Sequence, residues 1–181
     1  MPSIRAKRIA MVREYRPDDL EAVVMLFQRS VREVASRNYP PAQIFAWAPE
    51  APDLEAWARR LRTGGVFVYE RDDQIAGFAR VDVTGCIDLL YVHPEVQRQG
   101  VARALFDRVI SWAVSRGIRH LRSEVSITAR PFFESVGFRV VREQVVERRG
   151  VSLKNFQMER DADRIRTWLT PLTHKTANKI Y

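Results

Sequence analysis

The chain has 181 residues, of which 46% are hydrophobic and 29% are charged, and it contains one cysteine, Cys86. This length suits one domain with its own core, and the composition is that of an ordinary soluble globular protein. A single cysteine excludes an internal disulfide and favours a reducing compartment, so we expect a cytoplasmic protein. No apolar run approaches the ~18 residues that a membrane span needs, and the basic N-terminus lacks the apolar stretch of a signal peptide.

The net charge of +8 comes mainly from arginine, since all but four of the 30 basic residues are arginines. A basic surface can attract nucleic acid, an acidic partner or a polyanionic cofactor. The arginines are spread along the chain and no DNA-reading motif accompanies them, so we expect a solvated surface and no nucleic-acid partner. The histidines, His93, His120 and His174, are too scattered to predict a metal site.

The first third of the chain predicts one strand and three helices. We expect a loose lead-in at 1–8, a strand at 9–15 and, after a turn rich in aspartate, a helix at 20–36. Prolines 40 and 41 end this helix, and short helices follow at 42–48 and 53–61, the last capped by Asp53. The residues expected to face inward from the long helix are Leu20, Val23, Val24, Phe27, Val31 and Val34.

The rest of the chain predicts a strand-rich unit. A hairpin of strands 66–70 and 75–83 turns at 71–74, and an apolar strand follows at 87–92. A helix begins at Val101 and ends at Gly117, after which come a strand at 120–126 and a short helix that Thr128 caps. A final hairpin pairs 138–148 with 151–159. We therefore expect one domain over residues 1–160 and a tail or short appended helix at 161–181.

The segment from Ile87 to Ala113 organises the prediction, because it joins a strand to a helix through a polar loop that contains Gly100. The first turn of a helix offers unpaired N–H groups and a favourable dipole to an anion, and glycine lets a phosphate come close to the backbone. The loop has neither the Gly-Lys-Ser/Thr of a nucleoside triphosphate site nor the three glycines of a dinucleotide site. On spacing alone, a phosphate site and a plain strand–turn–helix both remain open.

Two motifs identify the chain as similar to the GNAT superfamily of acyl-CoA-dependent N-acetyltransferases. The first resembles V-x-P-x-x-[QR]-x-x-G-x-[GA], and its matching positions are Val92, Pro94, Gln97, Gly100 and Ala102. The second, residues 126–138, resembles N-x-x-A-x-x-x-[YF]-x-x-x-G-F. The resemblance covers roughly residues 11–160, and the sequence NYPPAQIFAWAP also resembles the YafP-like branch of the family.

The resemblance implies an α/β (α+β) GNAT fold, as a monomer or homodimer. Its central sheet is mixed but mostly antiparallel, has six to seven strands, is flanked by helices, and is splayed between the fourth and fifth strands. The implied reaction moves an acetyl group from acetyl-CoA to a primary amine of a small molecule by direct attack in a ternary complex. The alternatives are acetylation of a protein N-terminus or lysine, and a non-catalytic acyl-CoA-binding module.

The resemblance also implies which residues hold coenzyme A. Backbone amides from Gln97 to Ala102 bind the pyrophosphate, Arg98 and Arg103 add positive charge, and the pantetheine arm lies along the fourth strand. The Val92 amide is the implied donor to the oxyanion. The full expected set is Leu90, Tyr91, Val92, Gln97, Arg98, Gln99, Gly100, Val101, Ala102, Arg103, Ser126 and Phe133.

The acceptor amine needs a base to remove its proton, and the two candidates are the carboxylates of Asp88 and Glu124. Strand alternation puts Asp88 on the face of Leu90 and Val92, unless a bulge resets the parity. A salt bridge of Asp88 to an arginine, and a water chain acting as the base, are the alternatives. For the acceptor pocket we expect Tyr39, Trp47 and Asp88.

Protonation of the departing thiolate has no obvious donor. Many family members have a tyrosine where this chain has Phe133, which cannot donate a proton, and Ser126 stands where asparagine is common. Tyr91 or Tyr39 could donate instead, or the thiolate could leave to solvent. A covalent acetyl-enzyme at Cys86 is not expected, because no histidine is adjacent in sequence.

Overall fold

The computed structural model of the chain describes residues 10–161, so the predicted lead-in and the tail beyond Asp161 lie outside the described residues. Twelve regular strands and α-helices occur in this range. The strands are β1 (Met11–Glu14), β2 (Gly65–Arg71), β3 (Gln74–Val81), β4 (Ile87–Val92), β5 (His120–Ser126), β6 (Arg139–Arg148) and β7 (Val151–Asp161). The α-helices are α1 (Leu20–Arg29), α2 (Pro41–Trp47), α3 (Leu54–Leu61), α4 (Val101–Ser115) and α5 (Arg130–Ser135).

The strands form two antiparallel sheets, in the orders β1-β2-β3-β4 and β5-β7-β6. Within residues 10–161, β4 and β5 share no ladder; one parallel bridge, Cys86 to Arg122, joins the sheets where the two strands begin. The Ser123 hydroxyl adds a 2.6 Å hydrogen bond to the Ile87 carbonyl at the same end. The predicted splay between the fourth and fifth strands is therefore confirmed, and the two strands diverge from this closed end.

A bulge in β4 decides which way the middle of the strand faces. Leu89 pairs with Arg80 of β3, but the next pair along the strand is Ile87 with Val81, so Asp88 is an extra residue. A bulge resets side-chain alternation. The Asp88 carboxylate lies with Arg80, so the stated exception applies: the bulge resets the parity, and Asp88 does not share a face with Leu90 and Val92.

Apolar cores lie on both faces of the sheets. On one face α4 and α5 pack against the strands through residues such as Leu105, Val109 and Phe133. On the other face α1, α2 and α3 pack through residues such as Phe27 and Ile44. The splay passes between these two cores, so it connects one face of the protein with the other.

Two local predictions differ from the structure. The predicted helix at 20–36 is α-helical only to Arg29, and continues as a π-helical turn, Ser30–Val34, and a 3-10 turn, Ala35–Arg37. The change of pitch buries Ala35, while Val34 is only partly buried. The helix α5 begins two residues after Thr128, with Ala129 at its N-cap and no side-chain cap, so the predicted Thr128 cap is wrong. In the preceding turn the Ser126 hydroxyl accepts from the Ala129 N–H at 3.1 Å.

Candidate functional site

Two adjoining cavities occupy the region where the sheets diverge. A cleft of about 170 Å³ lies between β4 and β5, and a cavity of about 620 Å³ lies on the side of α2 and α3. Because they share wall residues, the two spaces meet at the centre of the splay. The shared residues are Trp47, Asp88, Leu89, Tyr91, Ser123, Glu124 and Ser126.

The loop between β4 and α4 has the geometry of an anion site. The Gln97 side chain donates to the Val92 carbonyl at 2.8 Å and so holds the loop against the strand. Gly100 adopts a left-handed φ of 85°, and nothing lies within 4 Å of the place where a Cβ would stand. Among residues 10–161, the N–H groups of Val101 and Ala102 have no hydrogen-bond acceptor. The start of α4 therefore presents unpaired donors beside open space.

Charged side chains surround this loop to different degrees. Arg98 is exposed, whereas the Arg103 guanidinium lies 3.0 Å from Asp107 on the next turn of α4. Arg71, which was not anticipated, donates to the Gln99 side chain at 2.7 Å. The positive field at the loop thus comes from several elements.

The narrow cleft brings together only part of the predicted cofactor set. Leu90, Tyr91 and Val92 form its β4 wall, and Ser126 and Phe133 form the opposite wall. Gln97 and Ala102 lie at its open end. The remaining predicted residues belong to the loop and the start of α4 outside the cleft: Arg98, Gln99, Gly100, Val101 and Arg103.

Phe133 is part of an aromatic cluster as well as a wall of the cleft. It is 3% exposed, and its ring lies 5.0 Å from Phe138 and 5.8 Å from Phe132, both in edge contacts. The position therefore provides packing and no proton donor.

The larger cavity has an aromatic wall and a polar floor. Its aromatic lining residues are Phe27, Tyr39, Trp47, Trp57 and Tyr91. The floor is one face of β5 and β7, where alternating residues form three cross-strand pairs. These pairs are Arg122 with Glu159, Glu124 with Gln157, and Ser126 with Asn155.

Asp88 is held by two arginines. Its Oδ2 accepts from Arg80 at 2.7 Å and from Arg60 at 2.9 Å, and Arg80 also donates to the backbone and side chain of Thr63. Its Oδ1 is buried and has no hydrogen-bond partner within residues 10–161. Glu124 is exposed and accepts from Gln144 at 3.3 Å. Asp88 therefore forms the salt bridge to arginine that was expected from the sequence as an alternative to a base. Its second oxygen, Oδ1, remains without a partner in the described chain.

The two tyrosines differ in how their hydroxyls are used. The Tyr39 hydroxyl donates to the Lys154 carbonyl at 2.7 Å and accepts from the Ile127 N–H at 2.9 Å, so it links the segment just before α2 to the second sheet. Burial raises the pKa of Tyr91 to about 12, against the opposing effects of the Trp47 side chain and nearby arginines. Tyr91 therefore keeps its proton at neutral pH while lining both cavities.

Several residues of the site were not found by sequence reasoning. Arg80 gave a signal, a cation within an otherwise apolar strand, which is rare unless the charge is paired. Arg60, Arg148 and Asn155 gave none, because helix and hairpin positions do not reveal which cavity they border. All but Arg80 line the larger cavity.

Other chemistries have little support within residues 10–161. No group of three histidine, cysteine or acidic residues there could hold a metal ion. Burial raises the pKa of the Cys86 thiol, with Asp82 acting in the same direction, so the thiol is not activated. None of the helices in the described range is both long and apolar enough to cross a membrane.

Comparison with known proteins gives concordant matches. Residues 35–160 match the family model described as an acetyltransferase (GNAT) domain. The uncharacterized N-acetyltransferase YafP of Escherichia coli K12 is 39% identical over 148 residues, which are 81% of this chain and 93% of YafP.

Solved structures share the fold. A GCN5-related N-acetyltransferase from Rhodopseudomonas palustris is 28% identical, with a TM-score of 0.81 over 86% of this chain and 98% of its own. The PaiA N-acetyltransferase of Thermoplasma acidophilum, solved with coenzyme A, is 18% identical, with a TM-score of 0.69 over 84% of this chain and 99% of its own.

Proposed function

The chain belongs to the GNAT family of acetyltransferases, and we propose that it transfers an acetyl group from acetyl-CoA to a primary amine of a small molecule in the cytoplasm. The observation that carries this proposal is the junction of the narrow cleft with the aromatic cavity. A donor can lie along β4 in the first while an acceptor enters from the second, and they meet between Asp88 and Ser126. This arrangement suits direct attack in a ternary complex.

The residues present fit coenzyme A. Unpaired N–H groups at the start of α4 and the open space at Gly100 suit its pyrophosphate. Arg98 is exposed beside them and can add charge. The β4 edge at Leu90 and the Val92 N–H, which has no strand partner in the described chain, suit the amides of the pantetheine arm; the Val92 carbonyl is taken by Gln97. The thioester carbonyl then lies within reach of the Val92 amide, the proposed oxyanion donor.

The reaction joins the amine nitrogen to the acetyl carbon and breaks the carbon–sulfur bond. An alkylamine has a pKa near ~10.4 and must lose a proton before it attacks. We assign Oδ1 of Asp88 to hold the amine, because Oδ2 already accepts from Arg60 and Arg80. The exposed Glu124 passes the proton to water. Tyr91, which keeps its own proton, donates it to the departing thiolate and takes in its place the second proton that the attacking nitrogen loses as it becomes an amide.

The shape of the acceptor cavity favours a small molecule over a protein. Its volume of about 620 Å³ lies within the ~300–1,000 Å³ typical of small-ligand sites. The tip of the β6–β7 hairpin borders it, and Arg149 there donates to the Ala46 carbonyl of α2 at 2.6 Å. The contact between hairpin and α2 narrows the approach for a peptide chain.

The test is an acetyltransferase assay on purified protein. Thiol release from acetyl-CoA is followed with a panel of small amines and, separately, a panel of peptides with free N-termini and lysines, and mass spectrometry identifies the products. We expect acetylated small amines. Binding of acetyl-CoA without turnover on either panel would instead support a non-catalytic module, and turnover on peptides alone would support a protein acceptor.

A second measurement tests direct attack. Intact mass spectrometry of the protein after incubation with acetyl-CoA alone should show no stable acetyl adduct. An adduct that a small amine discharges, and that is absent in Cys86→Ser, would replace direct attack by a covalent route.

A further inference from the structure

Two residues that line the larger cavity, Asp88 and Asn155, each have a buried side-chain oxygen without a donor in the described chain. Asn155 is nine-tenths buried, and its Oδ1 has no hydrogen-bond partner within residues 10–161; the same holds for Oδ1 of Asp88. More than ~90% of buried polar groups in proteins are hydrogen-bonded, so two such oxygens bordering one cavity indicate a ligand that supplies N–H donors.

The observation at Asn155 concerns the oxygen of its side-chain amide. The oxygen and nitrogen of an amide are assigned from their surroundings, and with the assignment in this structure Oδ1 is the buried atom without a hydrogen bond within residues 10–161. Asn155 lies opposite Ser126 on β5, and Ser126 borders both cavities. This oxygen therefore stands near the junction where the acceptor amine must arrive.

The same cavity contains a cation without an anion. Arg148 ends β6 just before a two-residue turn, Arg149-Gly150, in which both residues have left-handed φ values of 49° and 74°. Such a turn fixes the direction of the hairpin. Arg148 is exposed and has no carboxylate partner within the described chain, whereas Arg60 is paired with Asp88 and Lys154 with Glu143. The cavity's other arginines, Arg122 and Arg149, donate to the Thr84 hydroxyl and the Ala46 carbonyl. Arg148 is one of the residues that line the cavity.

We propose that the acceptor is a zwitterion, a free α-amino acid with an apolar side chain, whose amine lies at Asp88 and Asn155 and whose carboxylate lies at Arg148. This inference rests on the function proposed above and names its substrate class. Guanidinium groups bind carboxylates through paired N–H donors, and the two oxygens accept from the amine. The apolar side chain lies against the ring of Trp57 and its aromatic neighbours.

The test compares each amino acid with the amine that lacks only its carboxylate. The pairs are L-phenylalanine with phenethylamine, L-leucine with isoamylamine, and L-tryptophan with tryptamine. For the wild type we expect kcat/KM to be about tenfold higher for the amino acid in at least one pair, the effect of one charge-assisted hydrogen bond. Thiol release and product mass give the readout.

Two variants locate the two ends of the acceptor. Arg148→Gln should reduce the preference for the amino acid over its amine to about twofold or less. Arg62→Gln removes the same charge from an exposed position outside both cavities and should leave the preference intact. Asn155→Ala should lower kcat/KM for both members of a pair alike, because they share the amine.

Each outcome supports or overturns the proposal. Preference for the amino acid that depends on Arg148 supports it. Equal or better turnover of the amines by the wild type overturns it, and so does acetyl-CoA binding with no turnover of any pair, while both results leave acetyl transfer to other amines intact. Failure of the wild type to bind acetyl-CoA in calorimetry would instead remove the proposed function itself.

Discussion

Arg80 of β3 donates to Oδ2 of Asp88 on β4 across 2.7 Å, at the bulge that turns this part of β4 towards the larger cavity. The Arg80 side chain is 11% exposed and that of Asp88 is 23% exposed, so the pair is largely removed from water. A charge left alone in such a place is costly.

We therefore expect Asp88→Asn to lower the free energy of unfolding by about 2–3 kcal/mol, because it leaves Arg80 without its counter-charge. Urea unfolding measures this change. The matched control is Asp107→Asn, which breaks the exposed pair with Arg103 on α4 and should cost less than about 0.5 kcal/mol. Equal losses in the two variants would show that the Arg80 pair is no stronger than a surface pair.

Gly100→Glu should abolish binding of acetyl-CoA without unfolding the protein. The residue has a φ of 85° and open space at its Cβ position, so a side chain costs about 1–2 kcal/mol of backbone strain and extends towards the proposed phosphate site. Calorimetry should show Kd raised about 100-fold or more, since an anion then faces the pyrophosphate.

Gly117→Glu is the control for that experiment. Gly117 follows the opposite end of α4, with a φ of 70° and the same open space, and it bears the same strain far from the loop. We expect the affinity of the Gly117→Glu variant for acetyl-CoA to stay within about twofold of the wild type. Loss of binding in both variants would point to damage to α4 and not to a blocked site.

Tyr91→Phe should lower kcat about 10- to 100-fold while KM for acetyl-CoA stays nearly constant, because the phenol is the proposed acid for the thiolate. Steady-state kinetics of the variant measures both parameters. Phe133→Tyr in the same variant adds a hydroxyl at the position where the family resemblance implies a tyrosine, and should recover part of the rate. An unchanged kcat in Tyr91→Phe would mean that the thiolate leaves without this acid.

The pKa of Tyr91 also predicts how stability depends on pH. Because burial raises the pKa from 10.0 to about 12, the folded protein holds this proton after the unfolded chain has lost it. The contribution is fully present below pH 10 and is lost as the pH rises to about 12. We expect the free energy of unfolding to fall over this window in the wild type, and to fall less steeply in Tyr91→Phe.

Tyr39→Phe should lower the free energy of unfolding by about 1–2 kcal/mol, since it leaves the Lys154 carbonyl and the Ile127 N–H without their shared partner. Thermal unfolding measures the loss. The ring and its contact with Trp47 at 5.5 Å remain, so affinity for acetyl-CoA should hardly change. A large loss of that affinity would give Tyr39 a more direct part in the site.

Much of this architecture was readable from local pattern. The bounds of β4, residues 87–92, and of β5, residues 120–126, are as predicted, because short apolar strands between turn residues have clear limits. The start of α4 after Gly100 and the Asp53 cap of α3 are also confirmed, because a glycine turn and a capping aspartate mark helix starts locally.

The details that define the candidate site were not readable. The bulge at Asp88 depends on its pairing with Arg80 in another strand, and a single strand's alternation contains no trace of it. The proposed roles of Asn155 and Arg148 depend on a hairpin that folds back over α2, a contact between segments about a hundred residues apart in sequence. Sequence periodicity tells which face of a strand is apolar, but not what stands opposite its polar face.

The gap between β4 and β5 also separates the proposed donor site from the floor of the proposed acceptor site. Natural or directed selection can therefore change one of them without the other. The loop before α4 and the β4 edge belong to the first sheet, whereas the polar floor of the larger cavity belongs to the second. Changes at alternate positions of β5 and β7 can therefore alter that floor without touching the loop. Mutant libraries restricted to those positions offer a route to new acceptors on an unchanged donor half.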